Sequence, residues 1–160
     1  MTDLSAHRPN VGIVLFHPGG QVWLGRRRGT PGPYSWQFPQ GGVDEGEDLL
    51  EAAQRELAEE TGVTSTTFLA RTEGWLSYDF PPDHGSKSAR GWKGQRQVWF
   101  AFRFDGEAAE VNLEAHGDPE FNAWRWGFLN EAPDLVVPFK RNTYLAVVQA
   151  FQDLPLGQTA

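Results

Sequence analysis

Glu56, Glu59 and Glu60 fall within five consecutive residues of a helix-forming stretch. A helix turns about 100° per residue, which places the three carboxylates within an arc of roughly 100° on one face. They belong to a wider acidic cluster. Residues 44–60 hold eight of the chain's 21 acidic residues and one base, Arg55. Like charges three or four apart destabilise a helix, so something positive should complete that face. A divalent cation is the natural partner. Mg²⁺ and Mn²⁺ take carboxylate and carbonyl oxygens, keep several waters and share their coordination with substrate phosphates. A solvated acidic face is the ordinary alternative for a Glu-rich helix, and spacing alone does not choose between the two.

Whatever binds there must be positioned by a folded domain, and the composition supports one. The chain has 160 residues, 39% hydrophobic and 13% aromatic, with seven Trp; that suits one globular domain with a real core and excludes disorder. With no cysteine, disulfides, thiolate metal sites and a Cys nucleophile are excluded together. The start "MTDLSAHRPN" has neither a basic flank nor an apolar run, and no stretch approaches 18 apolar residues. No signal peptide or membrane span is expected, and a cytoplasmic location follows by default. The net charge of −7 disfavours nucleic acid only superficially. Outside residues 44–60 the chain carries 13 acidic and 13 basic residues, so a polyanion can be held elsewhere.

The elements can be read in order. "VGIVLF" (11–16) and "QVWLG" (21–25), split by "HPGG", form a hairpin. "RRRGTPGPYS" (26–35) is a loop with three arginines. A helix runs from about Asp48 to Thr61, with Leu50, Ala53 and Leu57 along one side and Gly62 as a left-handed cap. "TTFLAR", "EGWLSYDF", "VWFAFRF" (98–104) and "AWRWGFL" (123–129) read as strands. Residues 81–97 read as a polar loop with four bases and one acid. A last helix near 141–154 aligns Tyr144, Val147, Val148, Phe151 and Leu154. Mixed strands with two helices predict a single α+β domain over residues 1–160, a sheet sandwiched between helices.

The sequence frame around the glutamates decides what spacing could not. Gly41, Glu47, Arg55, Glu56, Leu57, Glu59, Glu60, Gly62 and Val63 match every specified position of the Nudix box, which here occupies residues 41–63. The chain therefore resembles Nudix hydrolases, and the resemblance implies the Nudix fold, a mixed β-sheet between α-helices. It also implies metal-dependent hydrolysis of a nucleoside diphosphate linked to another moiety. By the same resemblance Glu56 and Glu60 ligate Mg²⁺ or Mn²⁺, and Glu59 either ligates metal or takes the proton from water. Which of the catalytic glutamates is the base varies within the family. Glu47 and Arg55 form a structural pair, with Arg55 on the far side of the carboxylate arc. Gly41 and Gly62 let the loop and the helix end close tightly.

The flanks narrow the resemblance. "RPNVGIV" (8–14), "SWQFPQGG" (35–42), "GWLSYDFP" (74–81), "GQRQVWF" (94–100), "PEFNAWRW" (119–126) and "LVVPFKRNTY" (135–144) are similar to the bacterial RNA pyrophosphohydrolases. That subfamily is also described as dinucleoside polyphosphate, or diadenosine tetraphosphate, hydrolases. It implies Glu120 as a further metal ligand and Arg8 and Arg27 as phosphate contacts, a task suited to a planar, permanently charged fork. Phe139 and Lys140 clasp a base, the ring stacking on it. Gln95 and Arg96 belong to the substrate mouth, which is assigned to the 81–97 loop. Arg26 and Arg28 read as surface charge, and Ser35 and Tyr78 are minor candidates. "TPGPY" (30–34) and "VDEGED" (43–48) resemble dinucleoside polyphosphate hydrolases more closely. Both a 5′-triphosphorylated RNA end and a dinucleoside polyphosphate therefore stand as substrates.

Two other classes of protein compete with this one. A catalytically silent nucleotide- or RNA-end-binding module would typically have lost a metal glutamate, whereas this chain keeps Glu56, Glu59, Glu60 and Glu120. Another Nudix pyrophosphatase, for ADP-ribose or nucleotide-pool sanitising, would share the box without the flanking motifs. The sequence gives no oligomeric state.

Overall fold

The computed structural model describes residues 3–30, 32–82 and 91–156. Two strands form its spine. β1 (His7–Phe16) and β7 (Gly94–Phe104) run parallel over their whole paired length, from His7 opposite Gly94 to Phe16 opposite Arg103. On the other side of β1 lies the short antiparallel β4 (Gln40–Gly42). Beyond β7 lie β5 (Thr66–Arg71) and β6 (Leu76–Asp79), both antiparallel to it. β2 (Val22–Arg27) turns back from β1 and pairs with β3 (Trp36–Gln37) and β8 (Phe121–Gly127). The expected hairpin is present. Phe16 and Val22 form its one ladder pair, closed by the His17 N–H donating to the Gln21 carbonyl at 2.7 Å, because β2 leaves to join β8.

Side chains alternate across the spine with a period of two. Val11, Ile13 and Leu15 of β1, with Val98, Phe100 and Phe102 of β7, pack towards α1 (Leu49–Thr61), whose Ala52, Ala53 and Leu57 are buried. Val14 and Phe16, with Trp99 and Ala101, pack towards α2 (Arg141–Phe151) through Tyr144, Val147 and Phe151. Both faces of the sheet are therefore covered, as the predicted sandwich requires. A buried face on each side also explains why β1 and β7 read as nearly unbroken apolar runs.

The bounds of α1 follow from local chemistry. Asp48 caps its start by accepting from the Glu51 backbone N–H at 3.1 Å. Gly62 ends it at φ 79°, its N–H donating to the Ala58 carbonyl. At the other end of the sandwich the Phe38 backbone N–H donates to the buried Tyr144 hydroxyl at 3.0 Å, which ties the chain between β3 and β4 to α2. Tyr144→Phe would leave that N–H unsatisfied. The expected cost is about 1–3 kcal/mol of unfolding free energy by denaturant titration, and a loss under a few tenths would mean that the N–H finds another partner.

Candidate active site

The glutamates of α1 lie against the loop that precedes it. Gly41 is pressed so closely on Glu56 that a Cβ there would overlap the Glu56 carboxylate and force it to swing aside. Deeper in, Glu60 has its Oε2 buried without a hydrogen-bond partner, while the Gln40 backbone N–H hydrogen-bonds to its carboxylate. Burial pushes the Glu60 carboxyl well above the usual carboxylate range. The Glu56 and Glu120 carboxylates add to that effect, and the Lys140 ammonium opposes it. Burial likewise raises Glu56, against the pull of Arg55.

Contrary to its expected place on the far side of the arc, Arg55 reaches into it. Its Nε and Nη2 fork onto Glu47 at 2.8 and 2.9 Å, and Nη2 also donates to the Gly42 carbonyl at 2.9 Å. Nη1 donates to Glu56 at 2.8 Å and to Glu59 at 3.3 Å. The guanidinium thus bridges the loop glutamate to two glutamates of the arc, an i+1 and an i+4 neighbour. The expected Glu47–Arg55 pair is present, and Arg55 holds Glu47 down at about 2. With Nη1 between Glu56 and Glu59, no group of three His, Cys, Asp or Glu side chains among the described residues is gathered to hold an ion in these rotamers. The donor set nevertheless fits a hard divalent cation. It is all oxygen, and the buried Glu60 Oε2 lacks the partner that buried carboxylate oxygens require.

Next to these carboxylates is a cavity of about 120 Å³ lined by Arg27, Gln37, Gln40, Tyr78, Phe80, Gln95, Glu120, Phe139 and Lys140. Four of the expected substrate residues, Arg27, Gln95, Phe139 and Lys140, line it together with the expected ligand Glu120. Arg27 Nε stands 3.5 Å from a Glu120 carboxylate oxygen. Phe139 and Lys140 sit on a single 3₁₀ turn, Pro138–Lys140, leading into α2. Lys140 is buried, and its Nζ donates to Gln37 Oε1 at 3.4 Å and Gln40 Oε1 at 3.3 Å. Burial, reinforced by the Arg27 charge, pulls its ammonium down to about 7.

The remaining expectations divide. Arg8 is exposed on β1 with its guanidinium against Gly42, beside the box loop and off the cavity wall. Gln95 and Arg96 are not in a loop. β7 begins at Gly94, so both are strand residues, and Arg96 turns away to lie over the Trp75 ring at 4.6 Å. Residues 83–90 of the expected substrate-mouth loop lie outside the described residues. Arg26 pairs with Asn122 at the surface and Arg28 is exposed, as expected of surface charge. Ser35 is buried, its hydroxyl turned onto the Gly32 carbonyl, which makes it a loop brace. Tyr78, a minor candidate, is a cavity wall. Gln37, Gln40 and Phe80 had no assigned role. Two glutamines three apart in the otherwise apolar "WQFPQ" were the signal that could have found the first two.

Family comparison matches the NUDIX domain over residues 6–147. The chain belongs to the Nudix family, the class of hydrolase that this fold and this acidic helix define. Among its relatives is the "RNA pyrophosphohydrolase" of Caulobacter vibrioides, 64% identical over 163 residues and covering 99% of this chain and 95% of that protein. Proteins of the same name from Acidiphilium cryptum and Rhizobium meliloti are 46% and 44% identical. They cover 94% and 92% of this chain and 94% and 95% of their own lengths. In fold the chain is similar to the dihydroneopterin triphosphate pyrophosphohydrolase of E. coli. The TM-score is 0.69 at 20% identity, over 90% of this chain and 98% of that one. A C. elegans Ap4A hydrolase binary complex matches at 0.64 and 22%, over 91% and 97%.

Proposed function

We propose that this protein is a divalent-metal-dependent pyrophosphohydrolase of 5′-polyphosphate ends. It would act on triphosphorylated RNA, releasing pyrophosphate and leaving a 5′-monophosphate, and on dinucleoside polyphosphates such as diadenosine tetraphosphate. One observation carries the reading: the buried, half-partnered Glu60 carboxylate is in electrostatic contact with Glu56, Glu120 and Lys140, and the last two line a cavity with Arg27 and Phe139. Acidic ligands and a basic, aromatic nucleotide pocket thus meet at one place. The relatives' shared name supports RNA as the substrate.

In this reading Glu56, Glu60 and Glu120 hold Mg²⁺ or Mn²⁺, with Glu59 a further ligand or the base that deprotonates water. When bound, the cation neutralises charge on bridging and non-bridging phosphate oxygens. Arg27 grips phosphate from the cavity wall and Arg8 from the rim of the box loop. Phe139 stacks on a base, and Lys140 offers its N–H donors to the base edge or a phosphate. Arg55 and Glu47 tie the box loop to α1, and Gly41 and Gly62 permit its closure. The whole chain is taken as one domain. A cytoplasmic location goes with the reading, and no helix among the described residues is long and apolar enough to cross a membrane.

The test offers 5′-triphosphorylated RNA and diadenosine tetraphosphate to one sample with Mg²⁺ and compares kcat/KM. Pyrophosphate and monophosphorylated RNA are the expected products, and no turnover of either substrate would overturn the reading. Phe139→Ala should cost about 1–3 kcal/mol in kcat/KM, roughly 5- to 150-fold, for the loss of stacking. Its melting temperature should barely move; a large fall would make Phe139 a core residue.

A further inference from the structure

Behind the cavity lies a chain of amides whose direction is set by Trp99, a buried residue that does not line it. The fully buried Trp99 indole N–H donates to Gln97 Oε1 at 3.0 Å. An indole nitrogen can only donate, so this contact decides which end of the Gln97 amide is oxygen and which is nitrogen. Gln97 Nε2 then donates to Asn10 Oδ1 at 2.7 Å and to Gln40 Oε1 at 3.4 Å. With its oxygen so engaged, Gln40 turns its Nε2 outward and donates to Gln95 Oε1 at 3.2 Å. Lys140 gives the same answer from the opposite side, since its Nζ donates to Gln40 Oε1 and to Gln37 Oε1. Reversing the Gln97 amide would set N–H against N–H in a site where Asn10, Gln97 and Trp99 are essentially inaccessible, leaving buried donors unsatisfied.

The consequence reaches the cavity at Gln95. Its carbonyl oxygen receives both Gln40 Nε2 and the Tyr78 hydroxyl, so its NH₂ group is the end left for a ligand. The Tyr78 hydroxyl could donate or accept and would tolerate either orientation of Gln95. Gln40 tolerates only one. Gln37 is in the same position, with its oxygen engaged by Lys140 and its amide nitrogen unpaired among the described residues. Glu120, which also lines the cavity, faces the Arg27 guanidinium at 3.5 Å; the Gln95 and Gln37 amides, the Lys140 ammonium and the Arg27 guanidinium around it all offer donors.

We propose that Gln40, backed by Gln97 and Trp99, is a specificity-determining positioning residue: by fixing the Gln95 amide it makes the cavity read hydrogen-bond acceptors on a nucleobase edge. Bases with a carbonyl there, guanine, hypoxanthine or uracil, fit this wall. Adenine and cytosine, which carry an amino group at the same place, meet donor with donor. The inference rests on the proposed function, in which a base is clasped at Phe139.

The experiment uses the full-length protein with Mg²⁺ and triphosphorylated RNAs that differ only by hypoxanthine or adenine, first at the first nucleotide and then at the second. The wild type should favour hypoxanthine at one of these positions by about tenfold in kcat/KM. Gln40→Met keeps the backbone N–H on Glu60 but removes the amide, and should bring the ratio to within about threefold. Gln40→Glu can only accept from Gln95, so it should turn that amide over and move the preference towards adenine, whatever its absolute rate. A merely structural role for Gln40 predicts no such reversal. Tyr78→Phe should keep the hypoxanthine preference. Hydrolysis with no base preference at either position, or a preference unchanged in both Gln40 variants, overturns the inference alone. Failure of the wild type to hydrolyse triphosphorylated RNA overturns the functional reading and this inference with it.

Discussion

Glu60→Gln is expected to lower kcat by about a thousandfold or more, equivalent to at least about 4 kcal/mol of transition-state stabilisation, while leaving the fold intact. Both halves follow from where the carboxylate sits. It is enclosed, one oxygen has no partner, and the Glu56 and Glu120 carboxylates repel it. Without a cation an ionised Glu60 therefore works against folding, because burial has raised its affinity for a proton above that of the unfolded chain. A neutral isostere removes that burden, so in EDTA at neutral pH the variant should melt no lower than the wild type. Mg²⁺ or Mn²⁺ should raise the wild-type melting temperature, since a ligand that binds only the folded state stabilises it, and should raise the variant's far less. Near-normal turnover in Glu60→Gln, with an undiminished response to the cation, would remove Glu60 from the metal site.

What the sequence revealed depended on how locally each feature is encoded. α1 was legible to within a residue because its cap Asp48, its buried Ala53 and Leu57 and its terminal Gly62 lie in one contiguous segment. The beginning of β7 was not legible. Gly94–Gln97 looked like loop because the strand is polar there, and it is polar because Gln95 and Gln97 point into a hydrogen-bond network instead of an apolar core. Periodicity detects strands by contrast between a greasy and a wet side, and a strand that floors a polar cavity lacks that contrast. Gln37 and Gln40 were hidden for a related reason. Their partners come from β7 and from the turn before α2, 55 to 103 residues away in sequence. The parallel pairing of β1 with β7 likewise joins residues 87 positions apart, His7 with Gly94 through Phe16 with Arg103. Arg55 differs, because its contacts with Glu56 and Glu59 are local, and an i,i+4 reading of the helix alone could have found one of them.

Arg55→Met should be the most destabilising single change at the site. It removes a guanidinium that makes two bonds to Glu47, one to the Gly42 carbonyl and others to Glu56 and Glu59, and it leaves three mutually repelling carboxylates beside one another. The Arg55 side chain is 29% exposed and that of Glu59 42%, so solvent screening leaves about 1–2 kcal/mol of the roughly 3 that a buried pair would lose, which in a chain of this size lowers the melting temperature by roughly 2–8 °C. Two further readouts identify the cause. Millimolar Mg²⁺ should recover more stability in Arg55→Met than in the wild type, because a cation can supply the charge that Glu56 and Glu59 have lost. Acid should narrow the gap between the two proteins. Arg55 holds Glu47 at about 2 against an ordinary value of 4.5, so the stability it lends is complete above pH 4.5 and disappears as the pH falls through about 2. The variant has none of it to lose, and carboxylates depressed elsewhere, such as those of Asp105 and Glu110, titrate alike in both proteins and cancel. A gap that persists unchanged at pH 2 would assign the loss to the Gly42 carbonyl and to packing of the side-chain stem, with the Glu47 ion pair contributing nothing.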